Sequence, residues 1–397
     1  MSDMDFPTAD VPVDTLSPTA LKDRIDAGEP VTILDTRMQS DYESWQIDGP
    51  EVESINIPYF EFLDEKLDQS ILSQLPDDQP MTVICAKGGA SEYVAGRLIE
   101  RGYEVTHVAE GMHGWARIYD RVAVERYTGT GTLYQYQRPS SGCLGYLLVA
   151  DTKAAVIDPL HAFTSRYLED AESLGASLTY AFDTHIHADH ISGVRALAQA
   201  GVEGVVPAPA IERGVTDPTA VTHAYDGDEF DVGGATIQAR YTPGHTSGMT
   251  AYYVDESFLA TGDTLFTESV ARPDLEAGDA GAADAARQLH ESLHDRILGL
   301  PEDTLIGGAH ASTVADPAAD GTYTATIAEL RDRMDALGMD EAGFVDLVLA
   351  DMPPRPANYE EIIATNLGQE TVDDEAAFEL ELGPNNCAAS QESLAGD

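Results

Sequence analysis

Short apolar runs and turn residues alternate along the first third of the chain. The runs at 31–35 (VTILD) and 81–85 (MTVIC) are rich in β-branched side chains, and each leads into a polar turn. Residues 91–101 show the apolar spacing of a helix, and 105–109 form a third apolar run. This alternation predicts a small α/β domain with a parallel sheet over residues 1–125.

A second pattern begins beyond a junction near residues 121–130. Apolar runs at 145–150 and 154–158 predict a hairpin, and strand–loop–helix patterns follow it. We therefore expect a second domain over residues 126–320. The remaining residues, 321–397, combine a helical pattern with a polar, acidic, proline-interrupted segment, and we expect them to form an extension that packs on the second domain.

The charge of the chain is strongly unbalanced. Its 397 residues include 70 acidic and 22 basic side chains, which gives a formal net charge of −48. Such a field repels phosphate backbones and anionic membrane surfaces, so we expect neither nucleic acid nor membrane as a partner. The acidic residues are spread along the whole chain and lysine is scarce. This favours a surface adapted to molar salt over a docking surface for a basic partner.

The cysteines do not predict a disulfide framework. Cys85, Cys143 and Cys387 are odd in number and far apart, which is typical of a reducing compartment. Cys143 starts an apolar run and is interpreted as a core residue, whereas the position of Cys387 is left open. The first 14 residues have neither a basic start nor an apolar run, and no stretch approaches ~20 apolar residues. We expect a cytoplasmic protein.

A dense group of metal-ligating side chains follows the apolar run at 178–182. The sequence THIHADH supplies His185, His187, Asp189 and His190, and the residues after it have helical spacing. The group is therefore placed on a loop at the carboxyl end of a strand. Imidazole and carboxylate groups bind zinc, iron or manganese. On a short turn the two leading histidines can converge on one ion, while the others reach a second ion or surround the first.

Three later turns deliver further ligands of the same kind. A Pro-Gly turn precedes His245, and the apolar run at 258–260 is followed by Thr-Gly-Asp263. The third turn, Gly-Gly-Ala-His310, is a weaker signal when read alone.

The ligand motifs follow one another along the chain in the order HxHxDH, GH, GD and a late AH. In this order the chain resembles the metallo-β-lactamase superfamily over about residues 128–315. The resemblance implies an α+β fold, an αββα sandwich with metal at one edge of its sheets. It implies that the metal ligands are His185, His187, Asp189, His190, His245, Asp263 and His310.

Two chemistries of that superfamily fit these residues. In thioester hydrolases all seven residues would hold two Zn(II) ions bridged by Asp263, and a metal-bound water would attack a thioester carbonyl. In persulfide dioxygenases one Fe(II) per chain would be held by His185, His245 and Asp263, with open positions for O₂ and the substrate sulfur. The other four residues would then surround this centre. Asp189 is expected to be catalytic.

Further motifs favour the dioxygenase. The sequence HADHISG at 187–193 looks like the version found in persulfide dioxygenases, and Arg272 lies in a segment that resembles their arginine loop. We expect Arg272 to bind a substrate carboxylate. Residues 354–366 resemble a C-terminal segment of bacterial dioxygenases that are fused to sulfurtransferase domains.

The N-terminal domain contains a candidate nucleophile. Cys85 lies between a predicted strand and a predicted helix in the loop CAKGGAS, where backbone N–H groups and the helix N-terminus favour a thiolate. This loop resembles that of the rhodanese family, which implies that Cys85 is catalytic and carries sulfane sulfur. Ala86 and Ala90 stand where basic residues are usual, and Lys87 is the expected substrate-binding cation.

The resulting hypothesis is a sulfur-handling enzyme. Its metal domain would oxidise a small thiol persulfide with O₂ to sulfite, and its rhodanese-like domain would exchange sulfane sulfur with the same pool. A two-zinc thioester hydrolase is the alternative. A homo-oligomer is left open.

Overall fold

The computed structural model describes residues 11–64, 67–76, 80–312, 315–350 and 352–389. The first ten residues, which carry most of the prediction about a signal peptide, lie outside this set. The chain forms two compact units, and the first of them comprises the residues up to Tyr119 with Arg138–Ser141 and Leu382–Pro384. The second unit comprises the rest. Within the described residues, no helix combines the length and apolar character needed to cross a membrane.

The first unit is built on a five-stranded parallel sheet with the strand order β1-β5-β4-β2-β3. Its strands are β1 (Asp14–Leu16), β2 (Val31–Asp35), β3 (Val52–Asn56), β4 (Met81–Ile84) and β5 (Val105–Val108). Its helices are α1 (Pro18–Asp26), α2 (Gln39–Ser44), α3 (Gln69–Leu72), α4 (Gly89–Ile99) and α5 (Gly111–Trp115). The predicted α/β fold of this domain is confirmed.

The two central strands explain why the sequence forms this sheet. All residues of β2 and β4 are buried, as expected for continuous apolar runs inside a parallel sheet. The chain then turns from β4 into α4 through Gly88, whose φ of 96° lies in the region that favours glycine. A Cβ at this position would also lie 3.0 Å from the backbone nitrogen of Glu110. The turn places Cys85 at the N-terminal end of α4.

The second unit contains two sheets. The first has seven strands in the order β12-β11-β10-β9-β8-β7-β6, and the second has six in the order β13-β14-β15-β16-β17-β18. The strands of the first sheet are β6 (Asp120–Ala123), β7 (Thr132–Gln137), β8 (Leu144–Ala150), β9 (Lys153–Ile157), β10 (Ser177–Phe182), β11 (Glu203–Pro207) and β12 (Thr222–Ala224). Those of the second are β13 (Glu229–Val232), β14 (Ala235–Tyr241), β15 (Thr250–Val254), β16 (Phe258–Gly262), β17 (Leu305–Gly308) and β18 (Ala325–Thr326).

Aromatic side chains join the two sheets face to face. The ring of Tyr146 on β8 lies 4.9 Å from Phe258 on β16, and that of Phe182 on β10 lies 4.8 Å from Tyr252 on β15. Helices cover the outer faces, so the unit is the predicted αββα sandwich. These helices are α6 (Thr164–Ser173), α7 (Val194–Gln199), α8 (Asp274–Glu291), α9 (Ile327–Arg333) and α10 (Glu341–Ala350).

The last two helices, α11 (Tyr359–Asn366) and α12 (Asp374–Leu380), pack beside the loop that carries the THIHADH motif. Asn366 at the end of α11 is buried and makes three hydrogen bonds to that loop. Its Nδ2 donates to the carbonyl oxygens of His187 (3.0 Å) and His190 (2.8 Å), and its Oδ1 accepts from the backbone N–H of Ser192 (2.9 Å). One side chain of the C-terminal extension therefore fixes the backbone of the histidine loop.

Replacing Asn366 by alanine is expected to destabilise the second unit by about 1–3 kcal/mol, because it leaves a buried N–H and two buried carbonyl groups without partners. Urea unfolding followed by circular dichroism measures this change. Gln369→Ala is the matched control, since Gln369 is exposed and its Nε2 donates to the carbonyl of Gly214. Equal free energies of unfolding for the two variants would contradict the prediction.

Candidate metal centre

Three side chains from different strand ends meet at the edge of the sandwich. His185 follows β10, His245 follows β14, and Asp263 follows β16. The Asp263 Oδ2 lies 3.6 Å from the Nε2 of His185 and 3.5 Å from the Nε2 of His245. All three side chains are at most 1% exposed. We call His185, His245 and Asp263 the triad.

The facing atoms of the triad have no hydrogen-bond partner within the described part of the chain. Buried polar groups without partners are rare, because no hydrogen bond compensates for the free energy of their desolvation. Nitrogen and oxygen ligands bound at about 2.1 Å with tetrahedral angles lie about 3.4 Å apart. The separations in the triad are close to this value, so the three residues fit a metal ion.

Neighbouring groups orient each member of the triad. The Nδ1 of His245 donates to the carbonyl oxygen of Arg272 at 2.8 Å, and the Nδ1 of His185 lies 3.0 Å from the hydroxyl of Thr184. The Oδ1 of Asp263 lies 2.7 Å from the Nδ1 of His310. These bonds leave the Nε2 atoms of both histidines and one oxygen of Asp263 aimed at the same point.

Burial and charge also give the triad the protonation state that a metal requires. Burial lowers the pKa of His185, with His187 adding to the effect, and burial lowers the pKa of His245. Burial would raise the pKa of Asp263, but the surrounding histidines, His310 first, hold it well below its usual range. The site therefore presents neutral imidazoles and an ionised carboxylate, which are the ligand forms.

His187 lies next to His185 but has different partners. The two rings are 4.1 Å apart, whereas the Nε2 of His187 lies 3.2 Å from Asp158 and 3.8 Å from Asp183. The Nδ1 of His187 is buried and has no partner within the described residues, so the predicted role of His187 as a metal ligand stays a prediction. Asp158 was missed by the sequence analysis. The sequence feature that could have revealed it is its position directly after the apolar strand β9, which corresponds to the position of Asp263 after β16.

The remaining predicted ligands form a second group with a cysteine. Asp189, His190 and His310 surround the thiol of Cys143, and their ligand atoms all lie within 4.8 Å of one another. We call these four residues the cysteine cluster. Cys143 is buried, as the sequence indicated, but its Sγ lies 3.3 Å from the Oδ2 of Asp189 rather than among apolar side chains alone. The isolated β-bridge between Cys143 and His310 holds it there.

Cys387 also lies at this edge of the sandwich. The ligand atoms of Cys387, Asp263 and His310 lie within 4.8 Å of one another, and the cysteine is fully buried. The backbone N–H of Arg272 donates to the carbonyl of Cys387, and residue 388 forms a β-bridge with Ala271. No disulfide joins the three cysteines of the chain.

The side chain of Arg272 is held by hydrogen bonds within the fold. Its Nε and Nη2 donate to Asp274 at 2.7 and 3.0 Å, and its Nη1 donates to the carbonyl oxygens of Pro354 and Asn386. The side chain is 1% exposed. Every nitrogen of the guanidinium donates within the chain, so a contact with a substrate carboxylate would require Arg272 to exchange one of these partners, and that contact stays a prediction. Arg272 joins the loop after β16 to the C-terminal extension.

In the first unit, the loop after β4 surrounds the thiol of Cys85. The Sγ accepts from the backbone N–H of Gly88 at 3.1 Å and lies 3.4 Å from the hydroxyl of Ser91. Ser91 in turn donates to the carbonyl of Gly88 at 2.8 Å. Lys87 is exposed on the same loop. One backbone N–H therefore donates to the sulfur, and the sulfur lies at the N-terminal end of α4.

Comparison with known proteins agrees with this division. Residues 140–310 match the family model of the metallo-beta-lactamase superfamily, and residues 17–118 match that of the rhodanese-like domain. A metallo-beta-lactamase from Staphylococcus aureus has the same fold, with a TM-score of 0.56 and 24% identity over 62% of this chain and 74% of that chain.

Two kinds of enzyme are similar in sequence. The mitochondrial persulfide dioxygenase ETHE1 of Bos taurus is 33% identical over 196 residues, which are 47% of this chain and 72% of that protein. The hydroxyacylglutathione hydrolase of Methylococcus capsulatus is 31% identical over 223 residues, which are 55% of this chain and 78% of that protein. The chain belongs to the metallo-beta-lactamase superfamily, is similar to persulfide dioxygenases, and contains an N-terminal rhodanese-like domain.

Proposed function

We propose that the chain is a persulfide dioxygenase. A small thiol persulfide, O₂ and water would give the free thiol and sulfite, so that the outer sulfur loses four electrons and O₂ accepts them. The observation that carries this proposal is the triad. Two neutral imidazoles and one carboxylate, all buried and all with an unpartnered atom aimed at one point, form the ligand set of non-haem iron oxygenases. The similarity to persulfide dioxygenases supports the same assignment.

We assign one Fe(II) per chain to the triad. When bound there, the iron supplies positions at which O₂ and the persulfide sulfur can meet. The neutral histidines and the ionised Asp263 hold the ion, and the hydrogen bonds of His245 and Asp263 keep their ligand atoms in place. Asp189 and His310 form a hydrogen-bonded pair at 2.9 Å. We assign to Asp189 the handling of the proton that the departing thiol requires.

A two-zinc thioester hydrolase is the second candidate, and the similarity to hydroxyacylglutathione hydrolases supports it. In that mechanism Asp263 would bridge the two ions. One oxygen of Asp263 faces the triad, whereas the other lies 2.7 Å from the Nδ1 of His310. The triad already supplies a two-histidine, one-carboxylate ligand set, so we keep the single iron of a dioxygenase as the first proposal.

We propose that the rhodanese-like domain carries sulfane sulfur on Cys85. The thiolate would attack the outer sulfur of a persulfide, the thiol would leave, and a Cys85 persulfide would result. The hydrogen bond that the backbone N–H of Gly88 donates to the sulfur suits a negative charge at this place. Ala86 and Ala90 leave Lys87 as the one basic residue between Cys85 and Ser91, which favours a persulfide over a strongly anionic donor. Because the two domains belong to one chain, each has a raised effective concentration with respect to the other.

We further propose that the protein works in the cytoplasm of a cell with molar salt. The net charge of −48 produces strong self-repulsion at low ionic strength. At about 1 M salt the Debye length falls to about 3 Å, and the repulsion between exposed carboxylates is largely screened.

The activity is tested by O₂ uptake and sulfite formation on protein loaded anaerobically with Fe(II), with a small thiol persulfide as substrate in molar KCl. We expect rapid uptake in the wild type and a loss of at least about a thousandfold in His245→Ala and Asp263→Asn, since each removes a ligand. His223→Ala, on the remote strand β12, is the control and should retain activity. No uptake by protein with one verified iron would refute the proposal, and thioester hydrolysis by the zinc form without O₂ would establish the alternative.

The role of Cys85 is tested separately. Incubation of the wild type with a thiol persulfide should add one sulfur atom to Cys85, and mass spectrometry of peptides detects it. Cys85→Ser should abolish this adduct and the transfer of sulfur to an added thiol, because the hydroxyl is too weak a nucleophile. Undiminished transfer by Cys85→Ser would rule out the sulfur-carrier role.

The proposed adaptation to molar salt predicts that the thermal stability of the protein rises with salt concentration. The melting temperature should increase continuously as KCl is raised from about 0.1 to about 2 M, because screening removes repulsion between carboxylates. Differential scanning fluorimetry measures it. Sucrose at matched osmolality is the control, since it contains no ions. A melting temperature that rises as much in sucrose as in KCl would contradict the electrostatic explanation.

A further inference from the structure

The turn that carries His245 is fixed at a point outside the triad. This turn, residues 242–249, joins β14 to β15, and we call it the His245 turn. Ser247, two residues after His245, is exposed but donates two hydrogen bonds to one carboxylate. Its backbone N–H donates to the Oε2 of Glu276 at 2.8 Å, and its hydroxyl donates to the Oε1 of the same side chain. Both oxygens of Glu276 are therefore engaged by a single residue of the turn.

The His245 turn depends on such outside contacts because its internal hydrogen bonds are long. The N–H groups of Gly244 and Met249 both donate to the carbonyl of Thr246, each at 3.3 Å, whereas about 2.9–3.0 Å is usual. Gly244 has a φ of 142°, and a Cβ at this position would lie 2.5 Å from the backbone nitrogen of Leu289 on α8. The turn therefore lies directly against α8, which is placed to supply the groups that hold it.

The segment around the start of α8 holds the turn at two places. The carbonyl of Arg272 accepts from the Nδ1 of His245, and Glu276, in the first turn of α8, accepts from Ser247. Gly278 interrupts the helical backbone with a φ of 64°, so residues 272–276 are separated from the longer part of α8. We therefore expect a change at Glu276 to alter the contact with the His245 turn and to leave the helix beyond Gly278 in place.

Glu276 also reaches the loop that follows β11. The Nε of Arg213 in this loop lies 3.4 Å from the Oε2 of Glu276, and both side chains are largely removed from water, with exposures of 12% and 24%. Ala210 of the same loop belongs to one buried apolar cluster with Ile186, a residue of the histidine loop. One carboxylate thus connects the turn of one triad member with a loop that packs on the segment carrying another.

We propose that Glu276 is a positioning residue of the metal centre. By holding Ser247 it sets the place of the His245 turn, and with it the position of the His245 Nε2 relative to the other two members of the triad. Glu276 does not itself bind the metal, because its oxygens accept from Ser247. The role rests on the triad as a metal site and not on the proposed reaction, since His245 belongs to the ligand set of the dioxygenase and of the hydrolase alike.

The experiment measures how fast the full chain loses one equivalent of Co(II), bound anaerobically in molar KCl, to an excess of chelator. Glu276→Ala should lose the ion about tenfold faster than the wild type, the lower end of the effect of groups that orient metal ligands, and its visible Co(II) absorption should change as His245 shifts. Glu276→Gln should recover most of the wild-type behaviour, because its amide can bond both the N–H and the hydroxyl of Ser247. Asp284→Ala is the matched control, since this side chain lies on the same helix, is 87% exposed and pairs with Arg287.

A purely structural role would lower the free energy of unfolding of Glu276→Ala and leave its Co(II) absorption unchanged, and this result would overturn the proposal. An equal acceleration in Asp284→Ala would overturn it as well, since it would show a general effect of removing acidic charge. If Glu276→Ala fails to fold, Ser247→Ala decides, because this exposed residue then loses one of its two bonds to Glu276 and should release Co(II) about threefold faster. Release from Ser247→Ala at the wild-type rate would contradict the positioning role. Neither O₂ uptake nor thioester hydrolysis enters these measurements, so a failure of the proposed reaction does not affect them.

Discussion

The second unit buries three polar atoms that have no hydrogen-bond partner in the described protein, and this burial costs desolvation free energy. The facing atoms of His185, His245 and Asp263 are removed from water and point at one another. Each atom would lower its free energy by forming a hydrogen bond. The surrounding structure must therefore hold the three side chains in orientations that keep these atoms away from hydrogen-bond partners. A bound cation offsets this desolvation cost. The fold can therefore be understood as a frame, a set of surrounding groups that holds the three ligand atoms in place for an ion.

The frame consists of groups far apart in the sequence. Strand ends from both sheets supply the triad, and the backbone of the arginine loop and His310 set the directions of its side chains. Asn366 fixes the backbone of the histidine loop from the C-terminal extension. Arg272 then joins that extension to the loop after β16. The chemistry thus rests on packing between segments that no local motif connects.

The sequence predicts the class of the fold, and it names the three side chains that the structure brings together in the triad, because apolar runs and the turns after them are local signals. Cys143 and Arg272 show where such signals end. A cysteine at the start of an apolar strand is most simply a core residue, and nothing near it in the sequence indicates that His310 and Asp189 will surround it. An arginine in a loop of familiar spacing suggests a substrate contact, but its partners Pro354 and Asn386 come from a region 82 or more residues away. Long-range partners hold both side chains in place.

The bond between Asn366 and the histidine loop has a consequence for biosynthesis. The Nδ2 of Asn366 reaches the carbonyl of His190 across 176 residues of chain. During translation the loop emerges long before the helix that fixes it, so the nascent sandwich passes through a stage with its ligands present but its loop unclamped. Metal capture in the final geometry must wait until residue 366 has been synthesised and α11 has packed on the loop. The order of synthesis itself therefore delays tight metal binding until the domain has closed.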